Sequence, residues 1–255
     1  MPLTLLAVRC LSDNYAYLIH NPATGATGVV DVPEAAPVID AMTAKGWALS
    51  DIFLTHHHYD HVDGVAELRA ATGAAVWGAR ADAHRLPPLD HALAEGDSIS
   101  FGSEHGTVLD VSGHTVGHIA FHFPDSQLAF TADSLMALGC GRLFEGTPDQ
   151  MWTSLCKLAA LPDDTRICSG HDYLAANAAF AESVDRDNPA LAARVAGLDK
   201  LRAQSAPMAI ATMAEEKATN PFLRASDPSM KSSLGMDRAT DAETFAELRA
   251  RKDRF

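Results

Sequence analysis

The sequence predicts an α/β body followed by a helical portion, and three features of the chain support this division. Short strand-like runs alternate with helical patterns as far as Asp172. Clusters of Gly, Asp and Pro separate these segments, as expected for turns. Beyond Asp172 the chain is rich in alanine at helical spacing and has few strand-like runs. We therefore predict one domain over residues 1–172 and an all-helical C-terminal domain over residues 173–255.

The individual elements follow from the spacing of apolar residues along the chain. The predicted strands are Leu3–Val8, Tyr15–His20, Thr27–Val32, Ile52–Thr55, Thr107–Val111, His118–Phe123 and Gln127–Thr131. The predicted helices of the body are Pro33–Lys45, Val65–Ala71 and Asp149–Leu161. Those of the C-terminal portion are Tyr173–Val184, Pro189–Ala203 and Asp241–Arg251.

Composition and charge narrow the class of protein. The chain has 255 residues, of which 47% are hydrophobic and 21% charged, and this excludes collagen-like and largely disordered chains. A formal net charge of −13 argues against nucleic acids and anionic membrane surfaces as partners. No apolar run reaches the ~18 residues of a membrane span, and the N-terminus lacks the basic region of a signal peptide. We therefore expect a cytoplasmic protein with its four cysteines reduced.

A dense group of histidines and aspartates follows the apolar run Ile52–Leu54. Because alternate residues of an extended chain point the same way, His56, His58 and Asp60 should share one side. His61 joins them as the loop turns. Imidazole and carboxylate groups suit Zn, Fe or Mn, and two neighbouring metal ions accommodate so many adjacent ligands better than one. A solvated, histidine-rich surface loop is the alternative interpretation.

Residues around this group are expected to have structural roles. Alternation turns His57 away from its neighbours, and Asp63 is placed to cap the helix that follows. His118 is expected to pack against or support a ligand. Cys140 lies between two glycines, and we do not expect it to act as a nucleophile.

The order H-x-H-x-D-H after a strand resembles the metallo-β-lactamase superfamily. Its further ligands have counterparts here: His114 in His-Thr-Val-Gly-His, Asp133 after a strand, and His171 in Ser-Gly-His-Asp-Tyr. The resemblance implies an αββα sandwich that holds two divalent metal ions, with zinc expected and iron or manganese as alternatives. It assigns one metal to His56, His58 and His114, the other to Asp60, His61 and His171, and both to a bridging Asp133.

Five further segments resemble one family of this superfamily more closely, glyoxalase II or hydroxyacylglutathione hydrolase. This resemblance extends across essentially the whole chain. They are Ala132–Met136, Gly139–Thr147, Gly170–Tyr173, Asn220–Arg224 and Arg249–Asp253. The resemblance implies that the helical portion helps to form a glutathione site. The implied contacts are Arg142, Phe144, Tyr173, Arg249 and Lys252. Phe144 departs from the family pattern, because some members have a tyrosine there that contacts glutathione.

The activity implied by the resemblance is hydrolysis of S-(2-hydroxyacyl)glutathione, chiefly S-D-lactoylglutathione, by a metal-bound hydroxide. This is the second step of methylglyoxal detoxification. Asp60 and Asp133 are the implied catalytic residues, the partner is a small-molecule glutathione thioester, and we expect a monomer. The alternatives are another enzyme of the superfamily, such as a persulfide dioxygenase, and a non-catalytic metal-binding scaffold. Persulfide dioxygenases use a single iron and lack the helical tail, whereas a scaffold would be expected to have lost ligands.

Overall fold

The computed structural model describes residues 2–203 and 209–255. The chain forms two compact units, one of Met1–Val111 with Val116–Ala132 and the other of Ser112–Thr115 with Asp133–Phe255. The predicted division at residues 172 and 173 stays a prediction. Residues 204–208 of the predicted helical portion lie outside the described residues. Within the described ranges, no helix combines the length and apolar character needed to cross a membrane.

The first unit contains ten strands and three α-helices within its described residues. Its strands are β1 (Thr4–Cys10), β2 (Asn14–His20), β3 (Thr27–Val30), β4 (Leu49–Phe53), β5 (Ala75–Ala79), β6 (His91–Leu93), β7 (Ser98–Phe101), β8 (Glu104–Asp110), β9 (Ile119–Phe123) and β10 (Leu128–Ala132). Its helices are α1 (Ala35–Lys45), α2 (Tyr59–Val62) and α3 (Val65–Thr72). All seven predicted strands are confirmed, with ends that shift by up to three residues.

Two sets of strands make up this unit. Strands β1 to β6 form a sheet in chain order, antiparallel from β1 to β3 and parallel from β3 to β6. Strands β7 to β10 pair antiparallel with their neighbours in sequence. The two sets meet through aromatic side chains: the Phe53 ring lies 5.8 Å from that of Phe101 and 5.5 Å from that of Phe121. These fully buried rings form the core that holds the ends of both sets in place.

The turn between α2 and α3 is set by a close backbone approach. Val32 N–H donates to the His61 carbonyl, and Gly64 N–H donates to the Val32 carbonyl. A Cβ on Gly64 would lie 2.6 Å from the backbone nitrogen of Ala35, so only glycine fits there. The prediction that Asp63 caps α3 is wrong: Gly64 occupies the N-cap position, and no side chain caps the helix.

The second unit consists mainly of helices, within the residues that the structure describes. They are α4 (Pro148–Ala159), α5 (Leu174–Val184), α6 (Pro189–Ala196), α7 (Leu198–Ala203), α8 (Met213–Thr219), α9 (Pro228–Leu234) and α10 (Asp241–Arg254). Strands β11 (Leu135–Met136) and β12 (Gly139–Cys140) form a short hairpin, and β13 (Arg166–Ser169) pairs with β14 (Ile210–Thr212). In the described residues after residue 172, the regular structure is therefore helical apart from β14.

Local sequence explains where several of these helices begin and end. The helix predicted over Pro189–Ala203 is divided at Gly197 into α6 and α7. Thr240 begins α10 with a capping box, in which its side chain accepts from Glu243 N–H while the Glu243 carboxylate accepts from Thr240 N–H. Basic residues follow in the last turn of α10, where they face the negative end of the helix dipole.

Candidate metal centre

Two of the predicted metal ligands in the first unit face each other directly after β4. Nε2 of His56 lies 3.2 Å from Nδ1 of His58, and His56 is fully buried. Two imidazole nitrogens at this separation can share one metal ion or one proton. The His56 ring also lies 4.2 Å from the His61 ring, measured between centroids. The loop therefore brings the rings of His58 and His61 close to that of His56.

A buried aspartate that the sequence analysis missed holds this loop. Asp31 follows β3 and accepts hydrogen bonds from the backbone N–H of Thr55, from the Thr55 hydroxyl and from Nδ1 of His61, at 2.8–2.9 Å. The Thr55 hydroxyl in turn lies 3.0 Å from Nδ1 of His56. Asp31 thus orients His61 directly and His56 through Thr55. Its backbone φ of 55° lies in the left-handed region, which aspartate tolerates better than most residues.

The remaining polar residues near the loop have clear partners. Nδ1 of His57 lies 2.8 Å from Oδ2 of the buried Asp82, so His57 is directed elsewhere, as predicted. The His118 ring stacks on that of His56 at 4.6 Å. Asn14 donates through Nδ2 to the carbonyl and to Oδ2 of Asp60, at 2.9 and 3.1 Å. Asn14 is a second supporting residue that the sequence analysis did not identify.

The other three predicted ligands lie together in the second unit. Nε2 of His114 and Nε2 of His171 each lie 3.4 Å from Oδ2 of Asp133, and all three residues are buried. Asp133 directly follows β10, and His171 follows β13. The ends of these two strands therefore bring a carboxylate and one imidazole together, and the loop after β8 supplies the second imidazole, that of His114. Such a carboxylate between two imidazole nitrogens is what the predicted bridging ligand requires.

The turn after β12 supports this second group. Nδ1 of His114 lies 2.8 Å from the carbonyl oxygen of Arg142, which can only accept, so Nδ1 carries the proton. The backbone N–H of Gly141 donates to the Asp133 carbonyl at 2.9 Å. A Cβ on Gly141 would overlap that carbonyl oxygen and approach Nδ1 of His114 to 2.7 Å. Glycine at this position therefore permits the contact between the turn and both ligands.

These donor sets fit divalent metal ions. Among the described residues, histidines and aspartates form groups of three whose ligand atoms all lie within 4.8 Å of one another. His56, His61 and His114 each have Nδ1 in contact with an oxygen, from Thr55, Asp31 and Arg142 respectively. A metal-binding histidine commonly uses one ring nitrogen for the metal and the other for such an oxygen. In each of these three histidines, Nε2 is therefore the nitrogen that would bind the metal ion.

The residues predicted to contact glutathione have different exposures. Phe144 is 63% exposed and Tyr173 is 41% exposed, with its ring stacked on His171 at 4.7 Å. Arg142 also has an exposed side chain. Lys252 is half-buried and donates to the Ala176 carbonyl at 2.9 Å. Arg249 is buried, a difference that the sequence gave no sign of.

The hairpin that leads from Asp133 to Arg142 is held by buried polar side chains. Asn220 Nδ2 donates to the carbonyls of Met136 and Gly139, at 3.1 and 3.0 Å. Glu216 accepts from Leu138 N–H at 3.0 Å, and Asn220 also donates to this carboxylate. The segment at Asn220 therefore holds the hairpin in place, a role that its sequence did not indicate.

Cys140 has the environment of a structural residue. Burial is the main cause that raises the pKa of its thiol to about 11, so the thiolate is scarce at neutral pH. The prediction that Cys140 is not a nucleophile agrees with this environment.

Comparisons with known proteins agree over the whole chain. The family model described as metallo-beta-lactamase superfamily matches residues 17–171. The family model described as hydroxyacylglutathione hydrolase C-terminus matches residues 172–255. The chain is 62% and 61% identical, over the full length of both chains, to hydroxyacylglutathione hydrolases of Cereibacter sphaeroides and Ruegeria pomeroyi. It also resembles the crystal structure of ETHE1 from Myxococcus xanthus, with a TM-score of 0.68 and 24% identity over 98% of this chain and 90% of that chain.

Proposed function

The chain belongs to the hydroxyacylglutathione hydrolase family, in the metallo-β-lactamase superfamily, and on this premise we propose that it hydrolyses S-(2-hydroxyacyl)glutathione thioesters. The favoured substrate is S-D-lactoylglutathione, which gives D-lactate and glutathione in the second step of methylglyoxal detoxification. The observation that carries the proposal is the group of His114, Asp133 and His171, in which each histidine Nε2 lies 3.4 Å from Oδ2 of Asp133. It occurs in a chain that matches this family over its full length.

The resident cofactor in this proposal is a pair of divalent metal ions. Histidine and aspartate ligands suit zinc, which we favour, and they also accept iron or manganese. The proposed assignment follows the family pattern. One ion would be held by His56, His58 and His114 and the other by Asp60, His61 and His171, and Asp133 would serve as a ligand for both. The hydrogen bonds that orient His56, His61 and His114 support this assignment.

When bound, the metal pair would lower the pKa of a water molecule and polarise the thioester carbonyl. Asp133 contributes negative charge between two histidines and holds its position through the Gly141 N–H. Asp60, fixed by Asn14, orients the attacking water in this proposal. The leaving group is a thiolate whose conjugate acid has a pKa of about 8.5, so it needs little help from a general acid.

The glutathione moiety would be bound by residues of the second unit. Glutathione is anionic, and a chain with a net charge of −13 needs a local positive patch to hold it. Between Arg249 and Arg254 there are four positive residues and one negative residue. Arg142, Phe144, Tyr173 and Lys252 expose enough of their side chains for contact. The family pattern includes Arg249 too, although a direct contact would require it to give up a buried partner.

Three broader predictions accompany this function. We propose that residues 1–172 form the catalytic domain and residues 173–255 the helical domain, a division supported by the boundary between the two family models. We also propose that the protein is cytoplasmic, with its four cysteines reduced, and that it is a monomer.

The test is hydrolysis of S-D-lactoylglutathione by purified protein of measured metal content, with free thiol as the signal. We expect thiol release by the parent protein, and loss of both metal and thiol release in Asp133→Ala. Absence of thiol release from fully metallated protein would contradict the proposal. Oxygen consumption with glutathione persulfide would then identify a persulfide dioxygenase instead.

A further inference from the structure

His57 and Asp82 form a hydrogen-bonded pair in the first unit, beside the proposed metal ligands. Nδ1 of His57 lies 2.8 Å from Oδ2 of Asp82, and the two side chains are 16% and 1% exposed. Because a carboxylate accepts hydrogen bonds and does not donate them, Nδ1 of His57 carries the proton of this contact. The histidine that lies between two proposed ligands, His56 and His58, therefore has a fixed partner of its own.

Asp82 is itself held in one orientation. It ends a short 3₁₀ turn, Arg80–Asp82, that directly follows β5. Its other carboxylate oxygen, Oδ1, accepts from Nε of Arg85 at 2.6 Å, and its carbonyl accepts from the Arg85 N–H at 2.9 Å. A Cβ on Gly117 would lie 2.5 Å from Cγ of Asp82, so only glycine fits where that loop packs against the carboxylate. The carboxylate is therefore a rigid acceptor that restrains the His57 ring.

The restrained His57 ring packs against the ring of His58. The two ring centroids lie 4.9 Å apart and the ring planes are inclined by 65°, an edge-to-face arrangement. His58 faces its proposed co-ligand through Nδ1, which lies 3.2 Å from Nε2 of His56. Rotation of the His58 ring about its Cβ–Cγ bond would turn Nδ1 away from this position. A neighbouring ring that is in contact and cannot move freely restricts that rotation.

We propose that His57 and Asp82 are positioning residues for the metal centre: Asp82 anchors His57, and the His57 ring keeps Nδ1 of His58 directed at the ion that His56 shares. Three other proposed histidine ligands use Nδ1 for an oxygen, whereas His58 directs Nδ1 towards the metal and is supported through its ring. The proposal rests on the proposed function for the metal assignment, which places His58 on one ion only. Metal binding can be measured without substrate, so this proposal can fail independently of the thioesterase activity.

The test compares His57→Ala, Asp82→Ala and the double variant with His91→Ala as the matched control. His91 also packs its ring against an aromatic neighbour in the first unit, 3.6 Å from the Trp77 ring, and it is not a proposed ligand. Zinc affinity is measured without substrate, by competition with a chromophoric chelator. We expect each single variant to bind one of its two zinc ions about tenfold more weakly, the lower end of the usual range, because the support acts through a ring. The other ion should keep its parent affinity, and His91→Ala should match the parent protein for both.

The double variant separates positioning from a general structural role. Both substitutions remove the same hydrogen bond, so the double variant should bind zinc within about twofold of His57→Ala. A structural effect of Asp82 that is independent of His57 would instead make the two losses additive, at about 100-fold, and would overturn its role as an anchor. At limiting zinc we expect kcat to fall while KM changes less than about twofold, because the proposed glutathione contacts lie in the second unit.

Zinc affinity of His57→Ala within twofold of His91→Ala, or equal weakening of both zinc ions, would overturn the proposal. Circular dichroism checks that each variant folds, and if Asp82→Ala does not fold, His57→Ala decides against its control. A parent protein that binds two zinc ions without releasing thiol would refute the proposed function, while chelator competition would still decide the role of His57. A parent protein that does not bind two zinc ions would overturn both.

Discussion

Replacement of Asp31 by asparagine tests how the first group of ligands is held. Asparagine has the same size and tolerates the backbone φ of 55°. Its amide nitrogen, however, cannot accept a hydrogen bond. With the amide oxygen in the place of Oδ2, the nitrogen faces the Thr55 N–H; with the opposite orientation, it faces the Thr55 hydroxyl and His61. In either orientation at least one of the three contacts becomes a repulsive pair of donors.

The size of the effect follows from these contacts. A hydrogen bond to a charged group contributes about 1.5–3 kcal/mol. The loss is transmitted to His61 directly and to His56 through Thr55. We therefore expect Asp31→Asn to bind zinc about 10–100-fold more weakly, which corresponds to about 1.4–2.8 kcal/mol. Thiol release at limiting zinc should fall by a similar factor.

The assay is chelator competition with the substrate-free protein, followed by thiol release at fixed zinc. Asp51→Asn is the matched control, because Asp51 also lies in the first sheet and accepts a hydrogen bond from Trp77 Nε1, at 2.8 Å. It touches none of the proposed ligands, so its zinc affinity should match that of the parent protein. Zinc affinity of Asp31→Asn within twofold of this control would refute the role that we assign to Asp31.

Three further predictions concern the second unit. Gly141→Ala places a Cβ against the Asp133 carbonyl, and at about 1–3 kcal/mol for such overpacking we expect the melting temperature to fall by about 2–12 °C; an unchanged value in calorimetry would contradict the close contact. Phe144→Tyr adds a hydroxyl to an exposed ring, so KM should fall about twofold to tenfold at constant kcat, and an unchanged KM would place Phe144 outside the glutathione site. Burial is the main cause that lowers the pKa of Lys252, and the positive charges of Arg249 and Arg142 lower it further. Lys252 therefore loses its positive charge at a lower pH than an ordinary lysine. KM should accordingly rise at alkaline pH in the parent protein but not in Lys252→Met, and identical pH profiles would exclude Lys252 from binding.

The sequence was most informative where function depends on spacing along the chain. The order of His56, His58, Asp60 and His61 after an apolar strand predicted a group of ligands, and the structure places the histidines of this group side by side. Asp31 could not be found in this way. It lies 24 positions before Thr55, and only the pairing of β3 with β4 brings the two together. A carboxylate directly after a buried strand was the available signal.

Two of the strands that were missed, β5 and β13, are short. β5, Ala75–Ala79, is short, contains glycine and alanine, and lies within the parallel part of its sheet. Parallel strands lack the alternation of polar and apolar residues that marks antiparallel ones, so periodicity gives little signal. β13, Arg166–Ser169, is also short, with four residues.

The burial of Arg249 was beyond sequence reasoning for a different reason. Cations in the last turns of a helix usually indicate a solvated end that is stabilised by the helix dipole. Whether one of them is buried depends on a tertiary contact, here with a carbonyl 109 positions away. The family resemblance assigned Arg249 to the glutathione site, but its hydrogen-bond partners could be identified only from the fold.

The most direct test of the account is titration of metal-free protein with zinc while thiol release from S-D-lactoylglutathione is followed. We predict that activity rises until about two equivalents of zinc are bound and then remains constant. Full activity at one equivalent, or no activity at two, would contradict it.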